Sequence, residues 1–418
     1  MATYNPTLWS NVKTLFDYYR IPLQSASHYP SGVWDVLTAY NGFSEDINKG
    51  KGFRFPVKLE PSQGASPAGD DFFPGSYADS THDILDYYAT VEEEPTTFDL
   101  QDKEVLDVLR QDLNDQPALI KHNFERMLFG SSTGKIAEVI SKNGDGTFIT
   151  IKPVYCDSTD YPGGADDLFV PGLRYDTYTG ATPNTDVGVK VTSIDTTNHR
   201  LYGTWTDVTA GDYIYFHDSY NAEFSGLYDI IDETTTTYGG INPSTYSVWK
   251  SYVLDLDGDD LTFKILKDFD SRYYHNNPTK KCTHVIAHPD TSSKYLELYF
   301  SKGNASVNIA NGQEARPNMG SATPTYYSSY YKSNFPILET RMCPPGKMYF
   351  INANALHYKI RRAFDWLQGE PEFGGVFRHG ASAKEKILLA LGWIRYSVFA
   401  TLRNAHGAII NINTATGS

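Results

Sequence analysis

The sequence predicts an α+β chain, and three stretches carry that prediction. Residues 99–135 write one long amphipathic helix. Residues 140–216 read as short strands separated by turn signals, and after Gly226 helix and strand patterns mix before a closing strand at 408–412. With 418 residues there is length for two or three compact units. No internal repeat and no long low-complexity run interrupts them.

Residues 9–40 are aromatic-rich with short helical patterns, Trp9, Leu15, Phe16 and Tyr19, then Val33, Trp34 and Leu37. They are apolar enough to pack and too short to form a domain. Next, Phe53, Phe55, Val57 and Leu59 alternate, the chain runs through Pro, Gly, Ser and Asp, and apolar character returns over 84–91. That pattern predicts a hairpin of two strands joined by a long polar tip. A two-stranded hairpin is marginal in water by itself, so a neighbouring copy of the chain is expected to hold it.

In the helix, Leu106, Leu109, Leu113, Ile120, Phe124, Met127 and Leu128 recur at steps of three and four, with one step of seven across Pro117. Asp99 is the expected N-cap and Asp102 falls in the first turn. Pro117 lacks the amide that the preceding turn needs, so a kink, or a restart capped by Asp115, is expected there. The stripe keeps its phase across the proline, which puts both halves on one core. The small residues Gly130-Ser131-Ser132-Thr133-Gly134 end the helix.

Beyond it, Asn143-Gly144-Asp145-Gly146 is a hairpin turn between Ile140 and the run 148–151. Strands at 187–193, 200–205 and 213–216 follow at the spacing of a small β-barrel, which predicts an all-β module. Further on, 261–274 reads as helix, 283–287 as a short strand and 304–334 as a loop rich in Tyr, Ser and Asn. A strand at 348–351 and an alternating stretch at 383–399 complete the pattern.

Thirty-six basic residues stand against 50 acidic ones, a formal net charge of -14, so nucleic-acid binding by the chain as a whole is not expected. Such a surface suits a soluble enzyme, or a container that must not stick to nucleic acid packed inside it. Cys156, Cys282 and Cys343 lie far apart without a CxxC pair, which argues for buried thiols over a zinc knuckle or disulfide framework. Met1-Ala2-Thr3-Tyr4 is not the basic start of a secretory signal, and no apolar run approaches the ~20 residues that span a bilayer, so a soluble cytosolic product is expected.

Several motifs invite chemistry and fail on spacing. Gly130 to Lys135 resembles a phosphate loop, but only three residues separate its glycines and a helix precedes it where a strand is needed. His284 and His288, with Asp290, lie on a predicted strand, where positions four apart are about 13 Å apart, too far for one ion. The run 255–260 has its glycine at the wrong place for a calcium loop and Leu266 where the bidentate glutamate belongs. Glu92, Glu93 and Glu94 are adjacent on one segment and cannot flank a bond as acid and base. They are read as either an interface patch or solvated charge. Tyrosine is abundant, 31 residues, and the pairs Tyr326-Tyr327 and Tyr330-Tyr331 lie on a polar loop where such rings suit an interface, a sugar cleft or packing within their own domain.

The order of parts resembles the major capsid proteins of tailed bacteriophages, those with the Hong Kong 97-type fold. The residues carrying the resemblance are Phe124-Glu125-Arg126-Met127-Leu128-Phe129-Gly130 with Thr133-Gly134, then Gly226-Leu227-Tyr228-Asp229-Ile230-Ile231, and the closing Leu402-Arg403-Asn404-Ala405-His406-Gly407-Ala408-Ile409-Ile410. Each motif is short, and their sequence along nearly the whole chain is the signal. The resemblance implies an N-terminal arm over 1–52, an extended loop over 53–98 and a peripheral domain with its spine helix over 99–141. An inserted β-barrel-like module would cover 142–215, the axial domain 216–341, a return through the peripheral domain 342–400, and the final axial strand and tail 401–418. The β module and the long stretch before the hairpin depart from the family pattern.

By that resemblance the chain is a structural virion protein, not an enzyme, with no cofactor or metal. It would self-assemble as hexamers and pentamers into an icosahedral capsid around double-stranded DNA, in the host cytoplasm, with scaffolding, portal and decoration proteins as partners and no membrane. Candidate contacts between copies are Arg54, Lys58 and Glu60 on the hairpin, the three glutamates 92–94, Arg110 and Arg126 on the helix, the four tyrosines 326, 327, 330 and 331, and Arg361, Arg362 and Arg378. Two rivals remain, an encapsulin-like compartment of the same architecture and a β-rich carbohydrate-active protein. The second lacks a signal peptide and a carboxylate pair.

Overall fold

A computed structural model describes residues 32–40, 44–46, 52–60, 74–93, 103–154, 165–232, 237–276, 281–300, 325–328, 330–366, 377–379 and 388–414. For 44–46, 52–53, 90–93, 103–114, 299–300, 360–366, 377–379 and 388–390 the backbone alone is described.

The chain enters through α1 (Gly32–Ala39), whose Val33, Trp34 and Leu37 are all buried. After β1 (Ser44–Asp46), β2 (Gly52–Lys58) pairs antiparallel with β3 (Tyr77–Asp83), from Gly52 opposite Asp83 to Lys58 opposite Tyr77. The apolar run expected as the return strand of this hairpin is instead a separate strand, β4 (Leu85–Glu93). β4 lies along β20 (Leu388–Ala400), whose other side pairs with β18 (Leu356–Trp366) and β19 (Phe377–His379); β1 joins β18 in parallel.

The helix expected at 99–135 is observed as α2 (Lys103–Phe129), continuous through Pro117. The proline removes one hydrogen bond, yet Ile120, Phe124, Met127 and Leu128 beyond it are buried, and their packing holds the last turns in line. Asp99 lies outside the described residues. α2 covers the inner face of the β18–β20–β4 sheet. Phe124 sits 4.3 Å, centroid to centroid, from Tyr396 of β20, and Trp34 of α1 sits 4.9 Å from Tyr358 of β18. The segment before the hairpin, expected to be apolar enough to pack, thus contributes Trp34 to the largest core described.

The hairpin is supported by its own chain. Val57 and Leu59 are buried in that same core, Phe55 stacks on Phe399 at 5.6 Å, and the Thr81 amide donates to the Gly239 carbonyl. A neighbouring copy is therefore not needed to hold the described part of the hairpin, contrary to the expectation from its composition. The residues that satisfy it are far along the chain, where no local pattern points to them. The tip at 61–73 lies outside the described residues.

At the end of α2 the chain forms an eight-stranded sheet with its own core, including Ile136, Ile149, Ile151, Leu201 and Trp205. Its strands are β5 (Lys135–Lys142), β6 (Phe148–Pro153), β7 (Arg174–Thr179), β8 (Thr182–Pro183), β9 (Val189–Lys190), β10 (Ser193–Asp195), β11 (Arg200–Tyr202) and β12 (Tyr213–Phe216). The sheet includes β5, so it starts at the helix end and not at residue 142. The one segment holding β9 and β10 pairs with β7 at one edge and β11 at the other, which joins the two edges.

A six-stranded sheet completes the fold, in the order β13 (Tyr252–Asp255), β21 (Gly407–Ile410), β17 (Met348–Ile351), β14 (His284–Ala287), β16 (Ser333–Glu339) and β15 (Thr325–Ser328). Three helices accompany it: α3 (Leu227–Ile230), α4 (Phe263–Asn276), whose Ile265 amide is capped by the Thr262 hydroxyl, and α5 (Pro289–Phe300), begun by a proline. Phe269 and Tyr273 of α4 and Tyr295 of α5 pack on Val285, Phe350 and Ile409. The 348–351 strand belongs to this sheet, between β21 and β14, and not to the returning segment 342–400 with which it was grouped. Cys282 and Cys343 are buried and form no disulfide among the described residues, while Cys156 lies outside them. No helix among the described residues is long and apolar enough to cross a membrane.

Candidate assembly surfaces and the junction beneath them

The three segments that carry the resemblance meet at one place, where the helix end, the entry to the six-stranded sheet and the final strand abut. Gly226 lies against the end of α2. A methyl group built on it would stand 2.6 Å from the Leu128 carbonyl oxygen and 2.5 Å from that of Gly130, inside van der Waals contact. Only a residue without Cβ lets the two backbones approach this closely. The Ser132 amide donates to the Asp229 carboxylate at 2.9 Å, fixing the turn that follows the helix. Gly134 ends that turn at φ +77, and its absent Cβ leaves room for the Ser219 carbonyl.

Arg403 is fully buried and bonds backbone. Its Nε donates to the Ile230 carbonyl at 2.8 Å and its terminal nitrogen to that of Asp229 at 2.9 Å, with the Asp232 carboxylate 3.8 Å away. Burial pulls its guanidinium down from the ordinary value, and the nearby acids oppose this. The Ser251 hydroxyl lies within reach of the carbonyls of both Ile230 and Arg403, and the Tyr273 hydroxyl donates to Ala405 at 2.7 Å. Apart from the Ser251–Ile230 contact, these bonds span more than 130 residues of sequence and tie the segment before the final strand to α3, α4 and the entry to β13.

One turn earlier, Glu125 ties three distant segments. Its carboxylate accepts from the Trp34 amide at 3.1 Å and from the Thr340 hydroxyl at 2.6 Å, and burial raises its pKa. Arg126 makes a bidentate pair with Glu223, both side chains buried. It therefore does not face a neighbouring copy, as its position on the helix had suggested. The helical period puts Arg126 well off the Ile120–Phe124–Met127–Leu128 stripe, and it is buried because the segment carrying Glu223 covers that side of the helix and compensates its charge.

Other predicted contact residues divide by exposure. Arg54 is 70% exposed and pairs with Asp79 at 2.5 Å across the hairpin, and Lys58 lies 5.9 Å from the ring of Tyr77, itself 64% exposed. Glu60 is exposed beside them. Tyr326 and Tyr331 are buried in the six-stranded unit, where the Tyr326 hydroxyl donates to Asp270 at 2.8 Å, and neither is available to a partner. Strand alternation turns Tyr326 inward, leaving Tyr327 half-buried and Tyr330 exposed, stacked near Tyr274. The side chains of Glu92, Glu93, Arg110, Arg361, Arg362 and Arg378, and all of Glu94, lie outside the described residues.

Sequence reasoning quoted Gly226, Glu125 and Arg403 only as parts of motifs and gave them no role; Glu223 and His82 it did not single out. Charged residues inside apolar surroundings were the available signal for Glu125 and Arg126. His82 stacks at 5.1 Å on Phe399 and 5.8 Å on Phe55, with the Ser80 hydroxyl 2.9 Å from Nε2, and burial lowers its pKa to about 4.

Among the described residues, Asp176, His217 and Asp218 bring three possible metal-ligand atoms within 4.8 Å of one another. Both Asp176 oxygens are already engaged, by His217 Nδ1 at 2.8 Å and the Gly188 and Asp218 amides, so the group reads as a clasp holding the turn after β12 to β7. His284 stands on β14, and the Asp255 carboxylate accepts from the Asp257 amide and the Asn411 side chain, closing a surface turn.

The hairpin, the long helix on the long-stranded sheet, and the six-stranded sheet, meeting at this junction, have the Hong Kong 97-type capsid fold. The capsid subunit of cyanophage A-1(L) is similar over 94% of this chain and 96% of its own, at a TM-score of 0.52 and 12% identity. A gene transfer agent (GTA) particle capsid (94% of each chain, 8% identity, TM-score 0.48) and an encapsulin complex from Synechococcus elongatus (100% and 98%, 10% identity, TM-score 0.45) resemble it at lower scores, and the fold assignment rests on the first. No protein-family model and no curated protein matches the sequence.

Proposed function

We propose that this chain is the major capsid protein of a tailed bacteriophage, assembling through many copies into a closed shell around double-stranded DNA. The supporting observation is the end-to-end correspondence of its fold with a cyanophage capsid subunit, 94% of one chain against 96% of the other. The hairpin's own composition no longer supports the reading, since its base rests on its own subunit.

Exposed Arg54, Lys58, Glu60 and Tyr77 on the hairpin and Tyr330 on the six-stranded unit are the surfaces offered to other copies, and scaffolding, portal and decoration proteins belong to the same reading. Shell contacts of an obligate kind bury on the order of 2,000 Å² or more. Replacing 61–73 by Asn-Gly keeps every described anchor of the hairpin. Subunits of that variant should melt like the parent and fail to form particles in negative-stain microscopy. Parent protein that never forms shells would refute the assembly role, and shells loaded with protein cargo and free of nuclease-protected DNA would favour an encapsulin-like compartment.

A further inference from the structure

An open groove of about 870 Å³ lies between the C-terminal turn of α4 and the segment leading into β13. Eight residues line it, and none is acidic, although the chain as a whole carries 50 acidic and 36 basic side chains. Lys250 and Arg272 supply two cations, His275 an imidazole, and Ser247, Ser271 and Asn276 neutral donors. Lys250 is half-exposed and Arg272 exposed, and neither cation has an ion-pair partner among the described residues.

Two carbonyls beside the groove are engaged by side chains: Ser271 accepts from His275 Nδ1 at 2.7 Å, and Lys250 accepts from the Asn276 side-chain amide at 3.2 Å. The lining thus sets Lys250 and Arg272, without an ion-pair partner among the described residues, beside hydroxyl and amide donors, the group set that binds phosphate oxygens. The volume falls in the range of about 300–1,000 Å³ typical of ligand sites, closer to a nucleotide unit than to a lone phosphate.

We infer that this groove is a contact for the sugar–phosphate backbone of nucleic acid, with Lys250 and Arg272 each neutralising a phosphate. The contact is independent of base sequence, since every named group meets phosphate. It rests on the shell reading only in that enclosed DNA would be the natural occupant.

The test is fluorescence anisotropy of a labelled mixed-sequence DNA duplex titrated with the full chain, parent and Lys250→Ala/Arg272→Ala. Two neutralised phosphates give a log–log salt slope of about -1.8, so parent binding should weaken about tenfold between about 50 and about 200 mM salt. The double variant should lose that slope, Lys250→Arg/Arg272→Lys should retain it, and poly-glutamate should compete poorly. Equal binding and slope in the double variant would overturn the inference, as would no duplex binding at low salt or preferential binding of poly-glutamate. Both substitutions are at surface-accessible positions, and negative-stain microscopy of the same preparations reads shell formation separately. Normal shells without duplex binding defeat the groove alone, and an absence of shells in the parent defeats the capsid reading alone.

Discussion

His82 makes the stability of the hairpin base depend on pH. Its imidazole is enclosed by Phe55, Phe399 and Tyr238, with the Ser80 hydroxyl on Nε2 and no carboxylate in contact among the described residues, so burial lowers its pKa from 6.5 to about 4. Above pH 6.5 the ring is neutral in both folded and unfolded chains and contributes nothing to pH dependence. Between 6.5 and 4 the unfolded chain takes up a proton that the folded chain refuses, so stability falls as the pH falls. A difference of 2.5 pH units at about 1.4 kcal/mol each amounts to about 3 kcal/mol across that window. His406, lowered to about 4 by its own burial, acts with the same sign, so the parent protein alone does not isolate His82. Urea unfolding of unassembled subunits at a series of pH values, parent against His82→Gln, does. The stability difference between the two proteins should shift by about 3 kcal/mol in favour of the variant from pH 7 to pH 4. Hydrogen exchange of 52–58 should accelerate in the parent over the same range, because the ring sits on the hairpin itself. Parallel pH curves for the two proteins would refute the burial of His82.

Two further outcomes follow from the junction. Gly226→Ala places a methyl group among three carbonyl oxygens at the end of α2 and should cost about 1–3 kcal/mol, measured by denaturant unfolding, with no contribution from backbone conformation because φ there is -81. Arg126→Met leaves Glu223 buried without its partner and should destabilise by about 3–5 kcal/mol, whereas Arg126→Met/Glu223→Met should recover most of that loss in a double-mutant cycle.

Local pattern was enough for much of this chain. The apolar stripe located α2, the Asn-Gly-Asp-Gly turn located the β5–β6 hairpin, and strands 213–216 and 348–351 were read to the residue. The order of helix, strands and closing motif was enough to suggest the fold class, although no single motif was specific. Those signals are written within a dozen residues, at the periods of helix and strand.

Partnership between distant segments was decided only by the tertiary structure. Composition alone made the hairpin look unsupported, yet its anchors are Phe399 and Gly239, and the strand next to it in sequence pairs instead with β20, some 300 residues later. Arg126 had a surface residue's chemistry and a core position, reconciled only by Glu223; Tyr326 and Tyr331 looked like contact residues and are core. A side chain's period tells which way it points from its own element. What lies in that direction is set by segments far away along the chain, and burial, charge compensation and close backbone approach all belong to that second kind of fact.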